Sequence, residues 1–425
     1  MRILQVHKYF TKKRGGGSVS AFFETKKILE ERDEDVLIFS MHDPENYKTR
    51  CSKYFISHFD INEAKNFWQK IKFAFKSIHN REAQKKIGEL ILAEKPDVAH
   101  IHNIYHYLTP SILHTLKKHG VPIVFKLSDY KLICPNYKLF VKGEVCQRCK
   151  GGKFYHCFLN KCLKESRAVS FVAMMEAYIH HKIFRSYSKV DLFLAPSEFM
   201  KKKCVEFGIE EGKIRVLRNV LNFESYQPDY DKKNFFLYSG RLSSEKGVLN
   251  LVEAIGILKK RKHLKGYKLV IIGQGPQEKE LQKRIKELDL EKEVEMAGFQ
   301  PKWSSRWLEL NKKAELNILP SIWFDNSPVS ISEAMAFGVI PLVSDRGGTK
   351  EMVEDGKSGI VYDAESVEEL AEEIKKVIDK EYDLEKMQKE AAKRVHEINN
   401  EDSYYKKLGA IYQEVQSKVQ SKKQK

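Results

Sequence analysis

Short, continuous apolar runs recur along the chain at 2–6, 36–40, 98–102, 123–127, 192–195 and 214–217, and again at 235–239, 269–272, 294–296, 316–319, 340–344 and 359–361. Runs without polar alternation predict strands covered on both faces. The stretches between them space their apolar side chains three or four apart. In 18–31, for example, Val19, Phe22, Phe23, Ile28 and Leu29 fall on one helical face. Strands alternating with helices predict a parallel, doubly wound sheet. Two such series predict an α/β chain of two Rossmann-like domains facing a cleft. The polar segment 221–233, with Pro228, is the expected boundary. It separates a domain at 1–225 from one at 226–399. Residues 367–398 predict a pair of amphipathic helices and 402–419 a terminal one, before a solvated tail at 420–425.

One stretch breaks the simple pattern. Residues 62–94 read as helical, and Phe67, Trp68, Ile71, Phe75 and Ile78 form a stripe between Lys65, Lys70, Lys72 and Lys76. Core packing with solvated lysines is the expected reading. Peripheral contact with an anionic membrane, or with a lipid-borne acceptor, is the other.

At 425 residues the chain suits two domains of roughly 200 residues each. Its 75 basic and 58 acidic residues give a formal charge of +17 from interleaved surface charge, which favours phosphate-bearing partners without choosing among them. The opening MRILQVH is too short an apolar run for a signal peptide, and no window approaches a membrane span. A cytoplasmic protein is expected, with the inner face of the membrane as a second address.

Of seven cysteines, five lie between Cys134 and Cys162. The C-x2-C pair Cys146 and Cys149, with Cys157 and Cys162 downstream, supplies four soft ligands for a structural zinc in the insert 134–162. A redox pair and unliganded thiols are the other readings. Cys134 is the expected outsider, and no water-activating carboxylate and histidine stand nearby.

The candidate chemistry sits at strand ends. SIWFDNSPVSISEAMAFG follows the run 316–319, with Ser327 as expected N-cap and Pro328 at the first helical position. Free N–H groups at Val329 and Ser330 make a phosphate site. Glu333, further along the helix, can accept two hydrogen bonds from a vicinal diol, and Asp325 lies eight residues before it in the turn. GRLSSEKG places Arg241 and Lys246 on one loop, where two cations can neutralise a diphosphate. Gly273 and Gly275 in IIGQGP mark the next strand end. In the first half, the basic loop ending in Gly16 and Gly17 opens a helix, while HIHN and KLSDY occupy two strand ends.

The ordered set GRLSSEKG, IIGQGP and Asp325-x7-Glu333 with AMAFG resembles the donor-site signature of retaining glycosyltransferases of the GT-B fold, family four. The resemblance covers nearly the whole chain. It implies transfer of a sugar from a nucleotide sugar, with UDP expected, to a hydroxyl acceptor, glycan or lipid-linked, as in polysaccharide biosynthesis. Arg241, Lys246, Asp325 and Glu333 would be the catalytic set. Gly16, Gly17, Gly273, Gly275, Asn326, Pro328, Val329 and Ser330 would join Glu333 in holding the donor. Arg241 and Lys246 would take the role of a metal, so no cofactor is required for catalysis, and the leaving phosphate would take the acceptor proton, so no protein base is named. The sequence departs from the family at Asp325, where the motif has Glu, and at Ser128, where it often has His; His102 and His7 are the substitutes on the acceptor or sugar side. Some members carry a Cys-rich insert after a stretch like SDYKLICP. A sugar-nucleotide-binding protein without turnover is the alternative. A nucleic-acid binder is another, but aromatic stacking motifs and a clustered basic face are missing, so no nucleic acid is expected.

Overall fold

In a computed structural model, the described residues are 1–11, 13, 16–59 and 66–423. Contacts divide the chain into two compact units. One comprises Met1–Leu139, Gln147–Val220 and the segment from Glu401 onward; the other comprises Phe140–Cys146 and Leu221–Asn400.

The strands of the chain are β1 (Arg2–Val6), β2 (Asp35–Phe39), β3 (Val98–Ile101), β4 (Ile123–Lys126), a short antiparallel hairpin of β5 (Phe140–Val141) and β6 (Glu144–Val145), β7 (Leu192–Ala195) and β8 (Ile214–Val216). The first unit's sheet runs β2-β1-β3-β4-β7-β8, and every pair is parallel. Its order reverses between β1 and β3, so the loops after those two strands diverge to opposite faces. That divergence is where open α/β sheets leave a crevice.

The helix Glu401–Lys423 packs on this sheet. Tyr404, Leu408, Ile411, Tyr412 and Val415 join Ile3, Val98, Val124, Leu192 and Leu194 in one apolar cluster. Two tyrosine hydroxyls satisfy buried partners there: Tyr404 meets Thr25 at 2.8 Å and Tyr412 meets His100 Nδ1 at 2.7 Å.

The second unit contains β9 (Lys233–Ser239), β10 (Lys268–Ile272), β11 (Val294–Gly298), β12 (Ala314–Leu319), β13 (Ile340–Ser344) and β14 (Ile360–Tyr362). The order is β11-β10-β9-β12-β13-β14, again all parallel. Here the switch point lies between β9 and β12. The loops leaving those neighbours are GRLSSEKG and SIWFDNSP, whose Lys246 and Asp325 are 79 positions apart in sequence and are brought side by side by topology.

Three elements depart from the sequence reading. Of the helical stretch expected at 62–94, residues 62–65, with Lys65, lie outside the described residues, and the rest is two helices, Phe67–Ile78 and Arg81–Glu94, because Asn80 turns its side chain back to accept from the Ala83 N–H at 3.1 Å and starts a new helix. The helix after β12 begins at Val329, with Pro328 as its N-cap at φ −68 and ψ 123 and no side-chain cap, so Ser327 is not the cap. The stripe expected in the core is split: Trp68 and Phe75 are exposed, while Ile71 and Ile78 are half-buried.

Candidate functional site

At the switch point of the second sheet, Lys246 Nζ is ion-paired with Asp325 Oδ2. The Ser321 hydroxyl donates to that same oxygen at 3.1 Å, and the Asn326 N–H donates to Oδ1 at 3.1 Å. Lys246 also stands 5.3 Å from the centre of the Trp323 ring. The lysine and the acid are therefore held in register by their own loops. Arg241 is exposed on the same loop as Lys246, and among the described residues its guanidinium has no carboxylate partner. Its backbone is fixed, since the Tyr238 hydroxyl donates to the Arg241 carbonyl at 2.8 Å. Burial raises the Tyr238 pKa, with Asp325 and Glu245 adding to it, so this donor stays protonated.

The loops are laced together through backbone. Ile322 N–H donates to the Glu245 carbonyl at 3.1 Å, tying the turn after β12 to the loop after β9. Leu242 N–H donates to the Gln274 carbonyl at 3.1 Å. This explains the glycines of IIGQGP in physical terms. A Cβ on Gly273 would sit 1.8 Å from the Gly240 carbonyl oxygen, and one on Gly275 would sit 2.2 Å from that of Leu242. Gly247 is under the same constraint, 1.9 Å from the Pro320 carbonyl oxygen at φ +67. Each marks a close approach between loops.

The helix Val329–Ala336 presents its N-terminus beside this turn, with Ser327, Pro328, Val329 and Ser330 half-buried and Asn326 buried. Glu333 is buried and held from two sides: Tyr226 O–H donates to Oε1 at 3.1 Å, and Lys302 Nζ lies 2.7 Å from the same oxygen. Lys302 in turn stands over the rings of Tyr226 and Trp303, at 5.6 and 5.4 Å. Sequence reading missed Lys302, Tyr226 and Ser321. Lys302 carried a usable signal, a cation in the loop after β11. It also missed Gly347, where a Cβ would meet the Asp325 carbonyl oxygen at 2.0 Å.

In the first unit, Gly16 is the N-cap of the helix Gly17–Glu30 at φ +91, and neither Gly16 nor Gly17 has any atom within 4 Å of where a Cβ would stand. Ser128 and Asp129 are half-buried at the end of β4, as are Lys8 after β1 and His106 after β3. Burial raises the Asp129 carboxyl, against hydrogen bonding from the Lys131 N–H and the pull of Lys8. His102 is fully buried behind this edge, with its ring stacked on His100 at 4.3 Å between centroids. His7 is equally buried, and Lys126 lies in the same row. Burial lowers His102 well below the ordinary histidine value, with His100 and Lys126 adding to it, and brings His7 and His100 down to about 3. Ser128, not His102 or His7, is the residue that reaches the edge.

The cysteines are all free. Cys157 and Cys162 are hydrogen-bonded to each other, an interaction that with burial raises the Cys157 thiol, while Cys149 packs with Phe154 and Ala177. Cys146 is half-buried beside the hairpin. Among the described residues no group of three or more His, Cys, Asp or Glu side chains is arranged to hold a metal.

Two parallel doubly wound sheets, the second with a cation and acid cluster at its switch point, define the chain as a GT-B protein. Residues 223–395, nearly all of the second unit, match the family model described as Glycosyl transferases group 1. The amylovoran biosynthesis glycosyltransferase AmsK of Erwinia amylovora is 27% identical over 237 residues, 53% of this chain and 57% of that protein. The putative colanic acid biosynthesis glycosyltransferase WcaL of Escherichia coli strain K12 is 30% identical over 205 residues, 46% of this chain and 48% of that protein. The chain spans about half the length of these two relatives. The crystal structure of Anabaena Alr3699/HepE in complex with UDP matches the fold with a TM-score of 0.67 at 16% identity, covering 97% of this chain and 100% of that one. No described helix is long and apolar enough to cross a membrane.

Proposed function

We propose that the protein is a retaining glycosyltransferase that moves a sugar from a UDP-linked donor to a hydroxyl of a glycan or lipid-linked acceptor in polysaccharide biosynthesis. The observation that carries this reading is the meeting of Lys246 with Asp325, beside the tip of the helix Val329–Ala336, at the switch point of the second sheet. Relatives named for amylovoran and colanic acid biosynthesis and a fold neighbour solved with UDP support the substrate class.

The residues divide the work by charge. The donor diphosphate brings two negative charges to a loop where Arg241 has no carboxylate partner among the described residues and Lys246 is balanced by Asp325. Arg241 is the first anchor, offering a planar fork, and Lys246 adds a point charge as the diphosphate displaces part of its contact with Asp325. The helix N-terminus supplies backbone N–H groups and the positive end of its dipole. These groups stabilise the charge that grows on the departing diphosphate in the transition state. Glu333, already oriented by Tyr226 and Lys302, accepts from the ribose diol. Asp325, with Ser321 and Asn326 fixing its plane, accepts from a donor-sugar hydroxyl. The leaving phosphate receives the acceptor proton, so no protein base is assigned. Ser128 and Asp129 stand on the acceptor or sugar side.

The test is a panel of UDP-sugars incubated with the protein, with and without glycan and lipid-linked acceptors, followed by nuclear magnetic resonance of the product. Transfer with the anomeric configuration of the donor preserved is the expected result. Binding of UDP-sugars with neither transfer nor hydrolysis would make the chain a binding protein instead.

A further inference from the structure

The sheet of the first unit has its own switch point, between β1 and β3, and the side chains at its carboxyl edge have bonding capacity left over. Lys8 follows β1, Asn103 and Tyr107 follow β3, and Ser128 and Asp129 follow β4. The Lys8 N–H donates to the Asn103 carbonyl at 2.9 Å, which ties the first two loops at their base. Lys8 Nζ stands over the rings of Tyr9 and Tyr107, at 5.3 and 5.8 Å, and among the described residues it meets no carboxylate within ion-pair reach. Asp129 commits Oδ1 to the Lys131 N–H at 2.9 Å, and Oδ2 takes no hydrogen bond from a described residue. The Ser128 hydroxyl and the Asn103 side-chain oxygen are buried atoms, also without a partner. Buried polar groups are almost always bonded, so a row of unmet ones at a sheet edge marks a place where a polar ligand binds.

Charge narrows what that ligand is. Lys131 and Glu176, both buried, pair with each other, and Lys131 also donates to the Pro135 carbonyl at 3.0 Å. Burial, with Lys131 next, brings the His106 imidazole down to about 4, so it is neutral near pH 7. One cation and one acid remain among the described residues of this edge, Lys8 and Asp129. Burial lowers the Lys8 ammonium against the pull of Asp129. It raises the Asp129 carboxyl against the Lys131 N–H and then Lys8. The two charges therefore share one space.

A phosphate offers only acceptors, so it would suit Lys8 and leave Asp129 and Asn103 without donors. A hydroxyl both donates and accepts. A lone alcohol would leave most of these groups unmet, whereas neighbouring hydroxyls on one ring can meet the ammonium and the carboxylate together. The rings of Tyr9 and Tyr107, 5.8 Å apart between centroids and tilted by 55°, offer apolar faces to the C–H side of such a ring.

We infer that this edge binds the vicinal diol of an acceptor sugar, one hydroxyl donating to Asp129 Oδ2 and its neighbour accepting from Lys8 Nζ, with Ser128 and Asn103 on flanking hydroxyls. The inference rests on the function proposed above and narrows it. The accepting hydroxyl belongs to a sugar ring, free or lipid-linked, and not to a bare lipid alcohol.

The experiment fills the donor site with saturating UDP, whose own affinity is measured first by calorimetry. Saturation-transfer nuclear magnetic resonance then follows the methyl glycosides of glucose, galactose and mannose, with inorganic phosphate as competitor. Saturable binding of at least one glycoside is expected. Its 3-deoxy analogue, which has no vicinal pair, should bind about tenfold more weakly or worse. Lys8→Met and Asp129→Asn should each weaken the glycoside about tenfold or more, the scale of a hydrogen bond to a charged group, with UDP affinity and thermal midpoint preserved. Asn at 129 keeps an acceptor for the Lys131 N–H, and Ser128→Ala, a smaller change, should weaken binding about threefold. Absence of glycoside binding to the native chain, or equal binding by the 3-deoxy analogue or by all three variants, would overturn the inference. So would a loss of UDP affinity in Lys8→Met, which would move Lys8 to the donor, or displacement of the glycoside by phosphate, which would make the edge an anion site. Failure of the native chain to bind UDP would count against the function proposed above and would leave the glycoside measurements readable.

Discussion

Lys246 and Asp325 neutralise each other across the switch point of the second sheet, although 79 residues separate them in sequence. The pair sets a competition: a diphosphate that recruits Lys246 must loosen its hold on Asp325. Asp325→Asn should therefore strengthen binding of UDP itself, by up to tenfold, or about 1.4 kcal/mol, while lowering transfer from the full UDP-sugar. Calorimetry and an initial-rate assay on one preparation check both halves. Weaker UDP binding in Asp325→Asn would mean that the acid holds the lysine in place instead of competing for it.

Glu333 is expected to read the ribose. Glu333→Gln should cost about 1–3 kcal/mol in UDP affinity, the range for a hydrogen bond to a charged group, and should narrow the preference for UDP over 2′-deoxy-UDP. Equal discrimination by the native chain and the variant would leave Glu333 a partner of Lys302 and Tyr226 alone.

The glycines divide into two kinds. Gly273→Ala and Gly275→Ala should lower stability by about 1–3 kcal/mol, because each new methyl meets the backbone of the loop that carries Arg241. Gly17→Ala fills open space within a helix and should be neutral or stabilising by up to about 1 kcal/mol. Chemical denaturation midpoints check all three, and a loss of donor binding confined to Gly17→Ala would place a ligand against that helix tip.

The buried row behind the first sheet's edge makes stability depend on pH. His7 and His100 have folded pKa values near 3 against 6.5, and that of His102 is also well below 6.5. The unfolded chain thus binds more protons between about pH 3 and 6.5, and stability falls as pH drops through that window. Lys126 is lowered by burial from 10.5 to about 8, so stability rises between about pH 8 and 10.5 as the unfolded chain gives up the proton that the fold already disfavours. Urea midpoints from pH 5 to 10 are expected to climb at both ends of that range. His102→Gln should flatten the acid limb, and Lys126→Met the alkaline one.

Much of this was legible in the chain itself, for reasons visible element by element. The runs 192–195 and 340–344 are the observed β7 and β13, because strands covered on both faces leave uninterrupted apolar sequence. The loops holding Arg241, Lys246, Asp325 and Glu333 were legible as strand ends. Their pairing was not, since Lys246 with Asp325 and Lys302 with Glu333 are set by sheet order, which no local spacing encodes. The outward face of Trp68 was misread for a related reason. Periodicity shows that a helix is two-sided, and only the packing of Ser77 and Phe73 shows which side faces in. The Asn80 cap inside 62–94 was a missed local signal, an asparagine ahead of a helical run.

The central claim is that a donor diphosphate docks where the loops after β9 and β12 meet. Its most direct test is calorimetric titration of UDP into the native chain and into the double substitution Arg241→Ala with Lys246→Ala. The account requires saturable binding to the native protein and a loss of several kcal/mol, on the order of two charge-assisted contacts, in a variant whose thermal midpoint is preserved. UDP affinity unchanged by removal of both cations would contradict it.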